Sequence, residues 1–303
     1  MSKALRTVFY DCHVEASARI VEFGGWDMPL QFEGILQEHL ATRKGAGLFD
    51  VSHMGRFFIR GADALGFLQH ALSNNAASLD VGVGQYTMIP NETGGVLDDA
   101  YLYRFVEDEF LLVVNAANRE KDWAHLENIR QSFPDCEMVD RTFEVAMLSL
   151  QGPLAREVME AVTDSQLPDP MRNELGIVDI DGARVHLART GYTGEPICFE
   201  LFIERQDAVR VYRLLLESGA KSVGLGARDS IRLEAGLPLY GHELGLDPEG
   251  KEIPAFASEV CRFAVSFSQL KVDVIGREQL LEQLQAFNRI TDMKFDNIDA
   301  LPR

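Results

Sequence analysis

The chain has 303 residues, 46% hydrophobic and 25% charged, enough to bury a sizeable core and, on length alone, to form two packed units. Its 29 basic residues face 47 acidic ones, a net charge of −18, and such a field repels phosphate backbones and argues against nucleic acid. No apolar run reaches the roughly 20 residues that span a bilayer, and Cys12, Cys136, Cys198 and Cys261 show no ligand spacing, so neither a membrane, a metal site nor a disulfide framework is expected.

The N-terminal stretch MSKALRTVFYDCH lacks the apolar centre of a secretory signal, so a reducing cytoplasm is the default location. An alternating run over residues 18–23 predicts a strand, and Gly24 to Pro29 a turn. Apolar spacing over residues 35–45 predicts a short helix stopped by Gly45. His53 and Met54 follow; beside apolar neighbours, both are by residue type more often core than chemistry. Residues 56–60 form a strand and 62–71 a helix with Leu65, Leu68 and Leu72 on one face.

A strand starting at Tyr86 meets the stretch NETGGVLDDAYLY, where Gly94-Gly95 marks a tight turn into a second strand. Asp98 and Asp99 open that strand. Successive residues point to opposite faces, so the two carboxylates cannot both line one pocket. Aspartates at a hairpin end are also ordinary turn chemistry. Residues 110–115 form a nearly continuous apolar strand, expected to be buried on both faces. Asn115 at its exit is placed either to orient a ligand or to cap the helix over residues 119–131.

A second unit opens near Val145, with Pro153 suited to the first position of a helix running to Val162. Strands over 176–180 and 184–188 flank an Asp181-Gly182 turn. A loop GYTGE and a strand from Cys198 follow, and Glu200 in that strand needs a partner if buried. A helix over 207–218 completes an order of elements seen already around 55–130, so two similar α+β units are expected. GLGARD enters a helix but lacks both dinucleotide and nucleotide phosphate-loop signatures. Arg228, near that helix start, sits at an unfavourable dipole end unless an anion compensates it. An acidic loop and a helix over 277–287 lead to the C-terminus.

The strings GGWDMP, GLFDVSHMG, GGVLDD, LVVNAANREKD, LQGP, GYTGE and GLGARDSIRLEAGLPLYG, spread from about Tyr10 to Tyr240 in one order, together resemble the T-protein family of the glycine cleavage system. The resemblance implies a tetrahydrofolate-dependent aminomethyltransferase that takes a C1 unit from the aminomethyl-lipoyl arm of the H-protein to tetrahydrofolate, with release of ammonia. It implies the other glycine cleavage proteins as further partners and no metal. Carried over position by position, it makes Asp98 the catalytic carboxylate and Glu200, Arg228, Asn115, Tyr86 and Met54 the folate contacts. It also implies an α+β fold of two similar mixed units, with folate in a central hole. Expected bounds are 1–140 and 141–243 for the two units, and 244–303 for a divergent loop, helix and tail. Family members continue into a C-terminal β-barrel, which is expected to be missing or truncated here. Rival readings are another folate-dependent demethylase or C1 transferase on this fold, and a non-catalytic folate-binding paralogue. Retention of GGVLDD favours aminomethyl chemistry, and RTGYTGE stands where iron–sulfur-assembly relatives carry KGCYxGQ.

Overall fold

A computed structural model describes residues 4–168 and 173–296, with side chains through residue 289. Two sheets lie face to face, each covered on its outer side by helices. The first has five strands in the order Val83–Pro90, Val96–Val106, Glu109–Val114, Gly55–Arg60, Glu137–Asp140. Its outer face packs on helices Ala64–Ala71 and Arg119–Arg130 through Phe57, Phe67, Leu68, Leu102, Leu112 and Leu126. The second has six strands in the order Leu175–Ile180, Ala183–Ala188, Cys198–Glu204, Val145–Gln151, Gly47–Asp50, Lys221–Val223. Helices Ala155–Val162 and Arg205–Glu217 cover it, with Leu148, Leu150, Phe199, Leu201, Val158 and Val211 between.

The expected duplication is visible in the topology. Each unit runs strand, helix, three antiparallel strands, helix, strand, and the four strands before the last helix take the same spatial order in both sheets. Within the second sheet, Gly47–Asp50 is inserted antiparallel to Val145–Gln151 and parallel to Lys221–Val223. The two sheets meet through Phe49, Val51, Tyr103, Leu111, Val113, Met147 and Phe202. Strand Glu109–Val114 is therefore buried on both faces: Leu112 and Val114 point to the helices, Leu111 and Val113 to the other sheet. Leu148, with no exposure, is typical of a core in which burial of each such side chain contributes about 1.5–3 kcal/mol.

Three local expectations change. The turn at Gly24 is only the Gly24-Gly25 pair, and Trp26–Gln31 is the centre of a small three-stranded sheet with Leu5–Arg6 and Arg19–Phe23. Pro29 is tolerated in that strand because Leu5–Arg6 pairs only with Trp26 and Asp27, leaving the strand an edge at the proline. Pro153 lies two residues before its helix, since Gly152 and Leu154 donate their N–H groups to Ile197 and Gly45 instead. The last helix is longer than expected, Arg277–Asp296.

Residues after Tyr240 fold back onto the first unit. Leu244, Ala255, Phe256, Cys261 and Leu280 pack against Met88 and Val96, at the Gly94-Gly95 hairpin. Glu252 accepts hydrogen bonds from Asn91 Nδ2 (2.5 Å) and Thr93 Oγ1 (2.8 Å), and Gln283 Nε2 donates to Gly94 O (2.9 Å). Both glycines are required by this clamp. Gly94 has φ +74°, and a Cβ on Gly95 would lie 2.3 Å from the Glu252 carboxyl. Among the described residues there is no strand after Lys221–Val223, and no helix is long and apolar enough to cross a membrane.

Candidate active site

The strand Val96–Val106 carries the site, and its period-2 alternation sorts the side chains. Ala100 and Leu102 face the helices, whereas Tyr101 and Tyr103 face the second sheet. Asp99 shares parity with the tyrosines, and Asp98 with Ala100. Asp99 Oδ2 accepts from Tyr86 OH at 2.9 Å, and Oδ1 from Asn115 Nδ2 at 2.8 Å. Enclosure by protein, and then the negative charge of Asp98, push its carboxyl up to about 7. Burial, and then Asp99 itself, hold the Tyr86 phenol protonated well beyond its usual range, so it stays a donor.

From Tyr86 a row of aromatic rings runs across the inner face. The Tyr86 and Tyr101 centroids are 6.2 Å apart, and Tyr101 stacks on Tyr103 at 5.1 Å. Tyr103 OH donates to Glu200 Oε2 at 2.8 Å, and Thr190 Oγ1 donates to the same oxygen. Glu200 thus has the partners its buried strand position demands, and both of these bonds fall on Oε2, leaving Oε1 to a ligand. It sits beside Phe202 on the inner parity of Cys198–Glu204; Phe199 and Leu201 face the other way.

Arg228 lies in the first turn of helix Leu225–Glu234, its guanidinium 5.0 Å from the centre of the Tyr192 ring. Burial lowers its proton affinity, and the charge of Glu200 and then Tyr192 oppose that loss. Among the described residues its buried Nη1 has no hydrogen-bond partner, which leaves a charged donor unused. Burial first, then the charge of Asp99, raises the Tyr192 phenol, with Arg228 opposing, so Tyr192 lies within reach of both ends of the cluster.

Met54 is half-buried among the same inner-face residues, with its carbonyl held by Arg56 Nη1 at 2.6 Å. Neighbouring His53 is kept neutral by burial, its pKa lowered to about 3, and packs edge-on against Phe23. Asn115 stands where it could cap the turn Ala116–Asn118, but its side chain makes no cap bond. Instead its amide reaches both Asp98 Oδ1 (2.9 Å) and Asp99 Oδ1 (2.8 Å).

The residues read from the sequence therefore come together with one exception. Tyr86, Asn115, Glu200, Arg228 and Met54 border the inner face. Asp98 does not, because strand parity turns it toward the helices, where it has no exposure and accepts from Asn115 N (2.8 Å) and Asn118 Nδ2 (2.6 Å). The carboxylate on the inner face is Asp99. Sequence reasoning passed over Tyr103, Thr190 and Tyr192, and also Asp99, although the tyrosines at 101 and 103 share its parity and mark its face. An open depression lined by Arg60, Asp108, Pro134 and Glu137 lies elsewhere and shares none of these residues. Among the described residues, no group of three or more His, Cys, Asp or Glu could hold a metal ion.

The cluster combines a carboxylate poised near neutrality, stacked phenols, a glutamate with a spare acceptor oxygen and an arginine with a spare donor. It suits a flat heterocycle bearing both donor and acceptor edges. The family model described as the GCVT N-terminal domain matches residues 9–253. The chain is 52% identical over 239 residues to an aminomethyltransferase of Thermus thermophilus, spanning 79% of this chain and 68% of that protein. It is 48% identical over 295 residues to the aminomethyltransferase of Deinococcus deserti, spanning 97% and 78%. A crystal structure of glycine cleavage system aminomethyltransferase T from Bartonella henselae superposes with a TM-score of 0.80 at 37% identity, covering 93% of this chain and 75% of that one.

Proposed function

The chain belongs to the GCVT N-terminal domain family, whose relatives named above are aminomethyltransferases, and from that premise we propose that it transfers the C1 unit of an aminomethyl-lipoyl H-protein to tetrahydrofolate with release of ammonia. Tetrahydrofolate, when bound, supplies the amine nucleophile that takes up the carbon. The residues of the inner face do the rest. Glu200, through its spare oxygen, accepts from the amino edge of a pterin; Arg228, through its unpaired Nη1, donates to an acceptor on the ligand. Tyr101, Tyr103 and Met54 supply flat and polarizable packing for the ring.

Carbon–nitrogen cleavage of an aminomethyl group develops positive charge at carbon, and an enclosed carboxylate stabilises it more strongly than one in water. We assign that task to Asp99 in place of Asp98. As an anion it faces the developing cation; with a pKa of about 7 it can also take up and return a proton at neutral pH. Tyr86 and Asn115 fix its two oxygens so that no reorientation is needed during the reaction. The observation carrying this reading is that Asp99, held by those two donors, shares a strand face with the tyrosine that bonds Glu200.

The test is single-turnover formation of 5,10-methylenetetrahydrofolate from aminomethylated H-protein, with tetrahydrofolate binding measured separately. Asp99→Asn should lose about 10²–10⁴-fold in rate, the usual range for a positioned acid–base group, and keep its affinity for tetrahydrofolate. Full turnover by Asp99→Asn would remove Asp99 from the chemistry. Binding without turnover in the wild type would remove the transferase reading itself.

A further inference from the structure

On the helix side of the strand lies a carboxyl group that the proposed reaction leaves unused. Asp122, in helix Arg119–Arg130, has no exposure, and neither of its oxygens finds an N–H or O–H donor among the described residues. The carboxyl group of Asp98, equally buried, is its acidic neighbour on the strand. Asp98 takes three donors: Asn115 N, Asn115 Nδ2 and Asn118 Nδ2. Two carboxyl groups in contact away from water cannot both stay ionised, so the pair retains a proton. Three N–H donors favour the anion at Asp98, and the proton goes to the partner that has none.

The groups facing the pair do not change this. Asp98 and, when ionised, Asp99 on the strand favour a proton on Asp122. Lys121, on the same helix, opposes it, but its ammonium is engaged by Leu97 O, Asn118 Oδ1 and Tyr240 OH. His125, one turn on, is driven toward its neutral form by burial and then by Lys121. Asn115 links the buried pair to the cleft, since one amide nitrogen donates to Asp98 and Asp99 alike.

We propose that Asp122 is a neutral carboxylic acid that donates its proton to Asp98, and that this buried pair positions the Asn115 amide holding Asp99. Asp122 touches no reacting atom and acts as a positioning residue. The positioning half rests on the reading of Asp99 above; the protonation half does not.

Isotope-edited infrared spectroscopy of protein carrying carboxyl-labelled aspartate tests the protonation half. At pH 8.5, where Asp99 with its pKa of about 7 is ionised, the wild type should show the carbonyl stretch of a protonated, buried carboxyl. Asp122→Asn should lose it, and Asp99→Asn should keep it. Absence of the band in the wild type, or its survival in Asp122→Asn, would overturn the assignment. For the positioning half, Asp122→Val removes the donor and Asp122→Asn retains one. Asp122→Val should lower kcat about 10-fold or more, with little change in KM for tetrahydrofolate. Asp122→Asn should recover most of the lost rate. Equal impairment of both variants, or a loss carried by KM instead of kcat, would leave Asp122 only a packing role. Failure of Asp122→Val to fold leaves the infrared comparison on Asp122→Asn decisive. Full activity in Asp99→Asn would sink the Asp99 reading and leave the protonation result standing.

Discussion

Replacing Asp122 with asparagine should change how stability depends on pH, and the size follows from proton counting. In the folded wild type the Asp98–Asp122 pair holds one proton through the neutral range, and Asp122 is raised to about 10 by burial and then by the charge of Asp98. In the unfolded chain both are ordinary aspartates with pKa near about 3.9, ionised above about pH 5. Unfolding therefore releases one proton, and since the folded state binds more, stability falls as pH rises toward the folded pKa. The slope for one proton is about 1.4 kcal/mol per pH unit. In Asp122→Asn the pair holds no proton in either state and its slope vanishes. Asp99 and Lys271, pushed to about 7 from opposite directions by burial, titrate in both proteins and cancel in the difference. The stability of Asp122→Asn relative to wild type should thus rise by about 2.7 kcal/mol between pH 6 and pH 8. Urea unfolding followed by circular dichroism at pH 6, 7 and 8, at constant ionic strength, measures it. A difference that stays constant with pH would show that the pair carries no extra proton and would refute the counting.

Because enclosure and Asp98 raise Asp99 to about 7, a reaction that needs the carboxylate should speed up with pH through that value and level off above it. A single-turnover profile flat from pH 5.5 to 8.5 would contradict this. Arg228→Met removes the unpaired buried donor and should weaken tetrahydrofolate binding roughly 10–100-fold, the equivalent of about 1.5–3 kcal/mol for a charged hydrogen bond. Calorimetry giving unchanged affinity would take Arg228 out of the site. Leu148→Ala, at a fully buried position behind the second sheet, should cost about 2–5 kcal/mol in chemical denaturation while leaving the pH midpoint of activity in place.

The clamp on the Gly94-Gly95 hairpin explains why a region that reads as divergent still bears on the site. Glu252 and Gln283 hold the turn from outside, while Leu244, Phe256 and Leu280 pack beneath it. The hairpin sets the strand on which Asp98 and Asp99 are displayed. No local pattern in the acidic loop announces this, because the contacts join residues more than 150 positions apart.

Much was legible in the sequence because it is local. Alternating and continuous apolar runs marked the strands, as at residues 110–115. Glycines marked the hairpins, and the repeated order of elements marked two similar units. Linked motifs named the family, and with it most of the residues that border the inner face. Strand alternation alone already required Asp98 and Asp99 to face opposite ways.

Which of the two faces the cleft was decided only by tertiary structure. Alternation fixes the relative orientation of neighbours, and the packing of helix Arg119–Arg130 against one side fixes which side is the core. That packing sends Asp98 to Asn118 and Asp122, and leaves Asp99 with Tyr86 and the tyrosine row. It also sets the charge states. Asp98 and Asp122 are 24 residues apart in the chain, and only their burial in contact makes one of them hold a proton at neutral pH.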